Sequence, residues 1–456
     1  MRTKVTQVCE EQEASDDKPP PLTGGQEDVS NETGDPAGSS CAFPVSEELW
    51  QDWRWQMRNR IRTARQLSNL SPPTANLAGV STAAGRFPLA ITPYYASLIR
   101  RFDSGDPVFA MSVPQLQELV NYPALHDDPL EEDEDMPVPG LVHRYTDRAL
   151  LISTTTCASY CRHCTRKRMA GHRESVISAA RLRQVVAYLT EHPEVHDVIV
   201  SGGDPFTMAT EQLEQVLSAL RSVSSVEVVR IGTRVPVVLP MRVTDELVAM
   251  LRKYHPLYVN THFNHPAELT AESAAACRRL VDAGVPMGNQ SVLLRGVNDR
   301  AEVLEELFRG LVRNRVRPYY LYQCDLVRGV EHFRTPLSKG LSIMEYLRGR
   351  LSGIAIPTFV VDAPHGGGKI PLLPNYIISV SPTHTVLRNF EGMMVAYPEP
   401  CMQEGAVPPA QAEMPTVSDL ANGRATKIQP AATGRHQRRS MRASHDLQET
   451  PAELTQ

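Results

Sequence analysis

The sequence is poor in the features that tie a chain to a bilayer, to nucleic acid or to an oxidising compartment. Its 456 residues hold no run of about 18 apolar residues, so no membrane-spanning helix is expected. No basic patch followed by an apolar stretch opens the chain, which argues against a secretory leader. Positive charge is not in excess: a formal net charge of −5 gives no sign of a nucleic-acid-binding protein, for which a basic domain would be expected. Eight cysteines are too sparse for a disulfide framework in a chain of this length. The expectation is a soluble cytoplasmic protein with no nucleic-acid or membrane partner.

The two ends are also poor in large apolar residues. Residues 1–44 carry PPPL, TGG and GDPAGSS, and residues from 405 onward end in the basic run GRHQRRSMR; both stretches read as disordered tails. The basic run reads as a solvated tail, and the acidic EEDED at 131–135 as an exposed loop. Cys9, Cys41, Cys277, Cys324 and Cys401 stand alone and read as ordinary thiols.

The middle is richer. Short runs of Val, Ile and Tyr recur as RALLISTT (148–155), DVIVSGGD (197–204), VEVVRIGTR (226–234), LYVNTHFN (257–264), VPMGNQSVLL (285–294), RPYYLYQCD (317–325) and TFVVDAPHGGGK (358–369). Each has the length and composition of a buried strand. Between them lie stretches with helical apolar spacing, such as 179–192, 244–255 and 301–314, and Thr244 before Asp245 and Glu246 predicts a capped helix start. Alternating strand and helix predicts an α/β fold with a parallel sheet, open or closed into a barrel.

In parallel barrels the loops at the C-terminal strand ends build the site. Unusual residues gather there: a cysteine cluster after the first strand, then Gly202, Gly203 and Asp204, then Thr233 and Arg234, His262 and His265, Asn289 and Gln290, Asp325, and Asp362 before GGGK. Singly, each has a bland explanation as a turn, a core histidine or a helix cap; their shared placement is the signal.

Cys157, Cys161 and Cys164 have no fourth cysteine near them. A 4Fe–4S cluster held by three thiolates leaves one iron open to a small molecule, whereas a ferredoxin would bring four cysteines. Zinc with His163 as a fourth ligand is disfavoured, because the ligands crowd too closely in sequence for a tetrahedron. The C-x3-C-x2-C spacing after a first barrel strand resembles the radical S-adenosylmethionine enzymes. That resemblance implies that the amino and carboxylate groups of S-adenosylmethionine complete the cluster, with Gly202 and Gly203 letting the backbone approach its methionine portion. PHGGGK is not a P-loop; its glycines give Lys369 room to meet a planar aldehyde such as pyridoxal phosphate, with a surface-loop lysine as the competing reading.

HRYTDRALL, CxxYCRHCTRKR, SGGDP, VNTHFNHP, GVPMGNQSVLLRGVND, EHFRTP and PTFVVDAPHGGGKIPLLPNY together resemble the lysine 2,3-aminomutase family, over about residues 49–400. The resemblance implies a partial (βα)6 TIM-type barrel over 141–375, a helical extension over 45–140 and a C-terminal extension over 376–404, between tails at 1–44 and 405–456. It implies three cofactors: a 4Fe–4S cluster on Cys157, Cys161 and Cys164, S-adenosylmethionine, and pyridoxal 5′-phosphate on Lys369. Arg144, Tyr145, Arg148 and Gln290 match positions that hold the pyridoxal phosphate, guanidinium forks suiting phosphate oxygens. Arg166 matches the partner of the substrate carboxylate, and Asp325 and Asp362 the pair that grips the distal ammonium of lysine.

The implied reaction moves the α-amino group of a basic amino acid, L-lysine first, to C3 through a 5′-deoxyadenosyl radical and a pyridoxal aldimine. It implies an electron donor such as flavodoxin or ferredoxin, and a homo-oligomer. Arg300 and the single tail cysteine Cys401 depart from the family's zinc ligands, so no structural zinc is expected. His365, Val327 and Arg328 depart near the substrate acids and raise L-arginine as an alternative substrate. An ordinary pyridoxal enzyme with structural cysteines and a non-catalytic iron–sulfur module are the readings from other classes.

Overall fold

The computed structural model describes residues 43, 45–169, 171, 174–380 and 384–398. The readings made on the terminal tails, on the GRHQRRSMR run and on Cys9, Cys41 and Cys401 lie outside these residues.

Nine strands form one sheet in sequence order: β1 (Leu141–Val142), β2 (Arg148–Thr154), β3 (Asp197–Gly202), β4 (Val228–Gly232), β5 (Leu257–Thr261), β6 (Met287–Leu293), β7 (Val316–Gln323), β8 (Thr358–Ala363) and β9 (Gly368–Leu372). β2 to β8 run parallel, and β1 and β9 pair antiparallel at the two edges. Strand order equal to sequence order, with a helix between each parallel strand and the next, winds the sheet in one direction as a barrel does. No pairing joins β9 back to β1 among the described residues, so the barrel is open.

The crossover helices form where the apolar spacing predicted them. Ala301–Arg313 buries Leu304, Leu307, Phe308 and Leu311, one stripe at helical period, against the sheet. Ser178, Thr244 and Thr270 cap Ala179–Glu191, Asp245–Leu251 and Ala271–Asp282 through their hydroxyls, which accept from the amides of Arg181, Leu247 and Ser273. Helices Thr210–Arg221 and Leu337–Arg348 complete the outer layer.

Before the barrel come six short helices between Glu47 and Ser112. Their apolar residues, among them Val80, Tyr95 and Phe109, join the same core as Val200, Ile231 and Val259 of the strands. Thr92 Oγ1 donates to the Val238 carbonyl at 2.6 Å, tying this layer to the segment after β4. After the barrel, β10 (Ile377–Val380), β11 (His384–Arg388) and β12 (Met394–Pro398) make a separate antiparallel sheet.

One element differs from the sequence reading. The run 358–369 is a β-hairpin rather than a strand ending in a loop: β8 turns at 364–367 and returns as β9, with Asp362 directly opposite Lys369. Gly368 has φ +80°, where a side chain is strained, and a Cβ there would also crowd the Tyr145 hydroxyl at 3.0 Å, so both counts favour glycine. Lys369 therefore sits on a strand, which removes the surface-loop reading.

Candidate active site

A cavity of about 850 Å³ occupies the barrel interior. It reaches beyond the C-terminal rim on which the sequence reading centred. Asp325, past the end of β7, lines one end, while Arg148, the first residue of β2, and Arg317, near the start of β7, line the other. Arg144, Tyr145, Gln290, Arg166, Asp362 and Lys369 also line it, so every predicted pyridoxal and substrate residue faces one space.

Lys369 and its neighbours are held by the hairpin. The register of β8 with β9 puts Lys369 Nζ 2.9 and 3.0 Å from the two Asp362 oxygens. Tyr145 OH accepts from the Lys369 amide at 3.0 Å, and the Arg148 guanidinium stacks 3.8 Å over the Tyr145 ring. Asp325 accepts from Thr165 Oγ1 at 2.5 Å, while its Oδ1 is buried without a partner. Burial first, then the Asp362 charge, pushes the Asp325 carboxyl up to about 7.

The acidic segment 131–135, expected to be an exposed loop, is exposed only in part: Asp133 and Glu134 face solvent, but two of its acids do not. Glu132 is 4 % exposed and Asp135 2 %. Glu132 takes Arg166 in a forked pair, Oε2 to Nε at 2.9 Å and Oε1 to Nη2 at 2.7 Å, and Asp135 pairs with Arg144 Nε at 2.9 Å. Arg144 also donates to the Leu130 carbonyl. Burial alone would raise the Glu132 carboxyl, but the charge and hydrogen bonds of Arg166 outweigh it and hold it below the usual range. Composition marked this stretch as solvated because the arginines that bury it lie up to 36 residues away.

The cysteines lie in the loop after β2, as the spacing predicted. Among the described residues, no three His, Cys, Asp or Glu side chains close on a single ion-sized point. Burial, then the neighbouring thiols, raises Cys157 and Cys164, the latter to about 11. Bound iron would reverse that preference, since a coordinating thiol is deprotonated. Arg234 Nη1 lies 2.8 Å from Cys161 Sγ and its Nη2 pairs with Glu268 at 2.7 Å, placing fixed positive charge beside the thiols. Arg234 entered the sequence reading only as a rim residue; its pairing with a thiol had no sequence signal.

Gly202 and Gly203 gain a reason that the sequence reading did not contain. A Cβ on Gly202 would stand 2.2 Å from the Thr154 carbonyl oxygen, and one on Gly203 2.3 Å from that of Thr156. The end of β3 packs backbone to backbone on the cysteine loop. The remaining rim residues are mostly structural: Asp204 accepts from the Thr233 hydroxyl and the Arg234 amide, His265 caps Ala267, and Asn289 binds the Phe263 backbone from within β6. Val327, Arg328 and His365 do not line the cavity. Val327 is buried in a second apolar cluster, Arg328 pairs with Asp127 at 2.9 Å, and His365 with Glu131 at 3.2 Å.

An open barrel with three thiols after its first parallel strand defines a radical S-adenosylmethionine enzyme, and residues 151–308 match the family model described as the Radical SAM superfamily. Residues 344–454 match a second model, described as Lysine-2,3-aminomutase. The chain is 51 % identical to L-lysine 2,3-aminomutase of Clostridium subterminale, over 86 % of this chain and 96 % of that one. It is 49 % identical to the L-lysine 2,3-aminomutase of Acetoanaerobium sticklandii, over 86 % and 97 %. Glutamate 2,3-aminomutase of Clostridioides difficile shares 45 % identity over 77 % and 83 %. The chain belongs to the lysine 2,3-aminomutase family, and is an isomerase acting on a small molecule. Membership implies a 4Fe–4S cluster, S-adenosylmethionine and pyridoxal phosphate as cofactors. No helix among the described residues is long and apolar enough to cross a membrane.

Proposed function

We propose that the enzyme is an L-lysine 2,3-aminomutase. Family membership leaves the substrate open, since lysine and glutamate enzymes both resemble this chain closely. The observation that supports lysine is acidic: Asp362 already holds a primary ammonium, that of Lys369, and Asp325 beside it keeps a buried oxygen unpaired. A second ammonium at the end of a substrate side chain satisfies that oxygen; a glutamate carboxylate would be repelled there.

When bound, the cofactors supply hydrogen-atom abstraction at the cluster and a conjugated ring able to carry an unpaired electron. Lys369 would hold the pyridoxal aldehyde, with Arg144, Tyr145, Arg148 and Gln290 around its ring and phosphate. Cys157, Cys161 and Cys164 would hold the cluster, and Gly202 and Gly203 let β3 close on that loop. Arg166 would receive the substrate carboxylate, fixing one end of the amino acid while Asp325 and Asp362 fix the other. Two charged anchors on a rigid barrel hold C3 in one place, and enclosure within the barrel keeps water from it. The family resemblance adds a flavodoxin or ferredoxin as electron donor and a homo-oligomer, and the cytoplasmic setting expected from the sequence is part of the same proposal.

The departures that raised L-arginine lie outside the cavity, so no observation favours that substrate over lysine. The test is anaerobic incubation of reconstituted protein with S-adenosylmethionine, pyridoxal phosphate and a reductant, offering lysine, arginine, ornithine and glutamate in parallel. β-Lysine as the main product supports the reading. A β-amino product from glutamate or arginine at a higher rate overturns it.

A further inference from the structure

We infer that Glu132 is a positioning residue for substrate recognition: it aims Arg166 so that the free end of the guanidinium fork meets the substrate carboxylate. The inference rests on the reading of Arg166 as that carboxylate's partner.

A guanidinium has five N–H groups in a planar fork. Glu132 takes the Nε side, with 2.9 Å to Nε and 2.7 Å to Nη2, and Ser201 Oγ accepts from Nη1 at 3.3 Å. One N–H remains on each terminal nitrogen, the arrangement that a second carboxylate accepts in the bidentate manner. Glu132 and the substrate therefore use different sides of the same cation and do not compete for donors.

Glu132 is itself held. It is buried, Arg168 Nη2 lies 3.5 Å from its Oε2, and its neighbours on both sides are tied down. Leu130 accepts from Arg144 through its carbonyl, Asp135 pairs with Arg144, and Glu131 reaches His365 in the turn of the hairpin that carries Asp362 and Lys369. The segment 130–135 thus spans the cavity wall from the proposed phosphate arginine to the lysine hairpin. A long side chain such as Arg166 would otherwise sample many rotamers, and a displacement of about 1 Å can cost about a hundredfold in a positioned reaction.

The test uses the anaerobic holoprotein with cluster, S-adenosylmethionine and pyridoxal phosphate bound, without reductant, so that binding is read without turnover. L-Lysine and 1,5-diaminopentane, which is lysine without its carboxylate, are titrated while the pyridoxal absorbance is followed. Glu132→Ala is expected to weaken lysine by about tenfold to a hundredfold and to change diaminopentane by less than about twofold. Glu132→Gln keeps the shape and one acceptor and is expected to fall between; it carries the same comparison if the alanine variant does not fold. Equal weakening of both ligands would mean a general structural role and would overturn the proposal, as would no change in either. Tighter lysine binding would show that Glu132 competes for Arg166 rather than aiming it. Arg166→Ala separates the two levels: if it discriminates between the ligands and the Glu132 variants do not, only the Glu132 inference fails. If Arg166→Ala does not discriminate, the carboxylate assignment fails and takes this inference with it.

Discussion

Asp325→Asn should trade function for stability, with a dependence on pH that identifies the cause. The carboxyl is raised from the ordinary 3.8 to about 7, first by burial and then by Asp362. That displacement corresponds to about 4 kcal/mol by which the folded, unliganded protein disfavours the charged form. An acid whose folded pKa lies above its unfolded value destabilises the fold as pH rises: the cost is absent below 3.8 and complete above about 7. Asparagine keeps an acceptor for the Thr165 hydroxyl and carries no charge. In cofactor-free protein, urea unfolding should therefore show the variant more stable at pH 8 by at most about 4 kcal/mol, shrinking to about 2 kcal/mol at pH 5. Lysine should bind worse at the same time, since an ammonium beside an amide loses about 3–5 kcal/mol of buried pairing, about two to four orders of magnitude in KM. In the wild type a proton competes with the ammonium for Asp325, so lysine affinity should fall as pH drops from 8 to 6, and the variant should lose that slope. A variant with unchanged lysine KM and a stability profile parallel to the wild type at both pH values would refute the reasoning.

Three further outcomes are expected. Lys369→Ala should fail to retain pyridoxal phosphate through desalting, read by absorbance, while keeping its iron content. Gly368→Ala places a side chain at φ +80° and against the Tyr145 hydroxyl, so it should cost about 1–2 kcal/mol in unfolding and weaken cofactor retention by moving Lys369; a melting curve superimposable on the wild type would contradict this. Glu118→Ala strips the shared partner from buried Arg162 and Lys167, both 2.5 Å away, and should lower stability by about 3–5 kcal/mol in denaturant unfolding.

The strands and main crossover helices were legible because each rests on a local period: alternation or short apolar runs for β2 to β8, a 3.6-residue stripe for helices such as Ala301–Arg313. The β8–β9 hairpin was not, because GGGK reads as a loop until a partner strand is in place to show that Asp362 faces Lys369. The burial of Glu132 and Asp135 was hidden for the opposite reason: the composition of the segment suits solvent, and only the arrival of Arg144, Arg166 and Arg168 from later in the chain compensates two buried carboxylates.

By itself the amino-acid order determined the alternating architecture, the three-thiol loop and the family to which they belong, since period, spacing and motif order are properties of the chain alone. Which polar groups meet was decided only by folding: Lys369 with Asp362, Arg166 with Glu132, Arg234 with Cys161. Electrostatic pairing acts over a few ångströms in space and is indifferent to separation along the chain. The same physics left Asp325 with a buried oxygen unpaired, the observation on which the proposal of lysine as substrate rests.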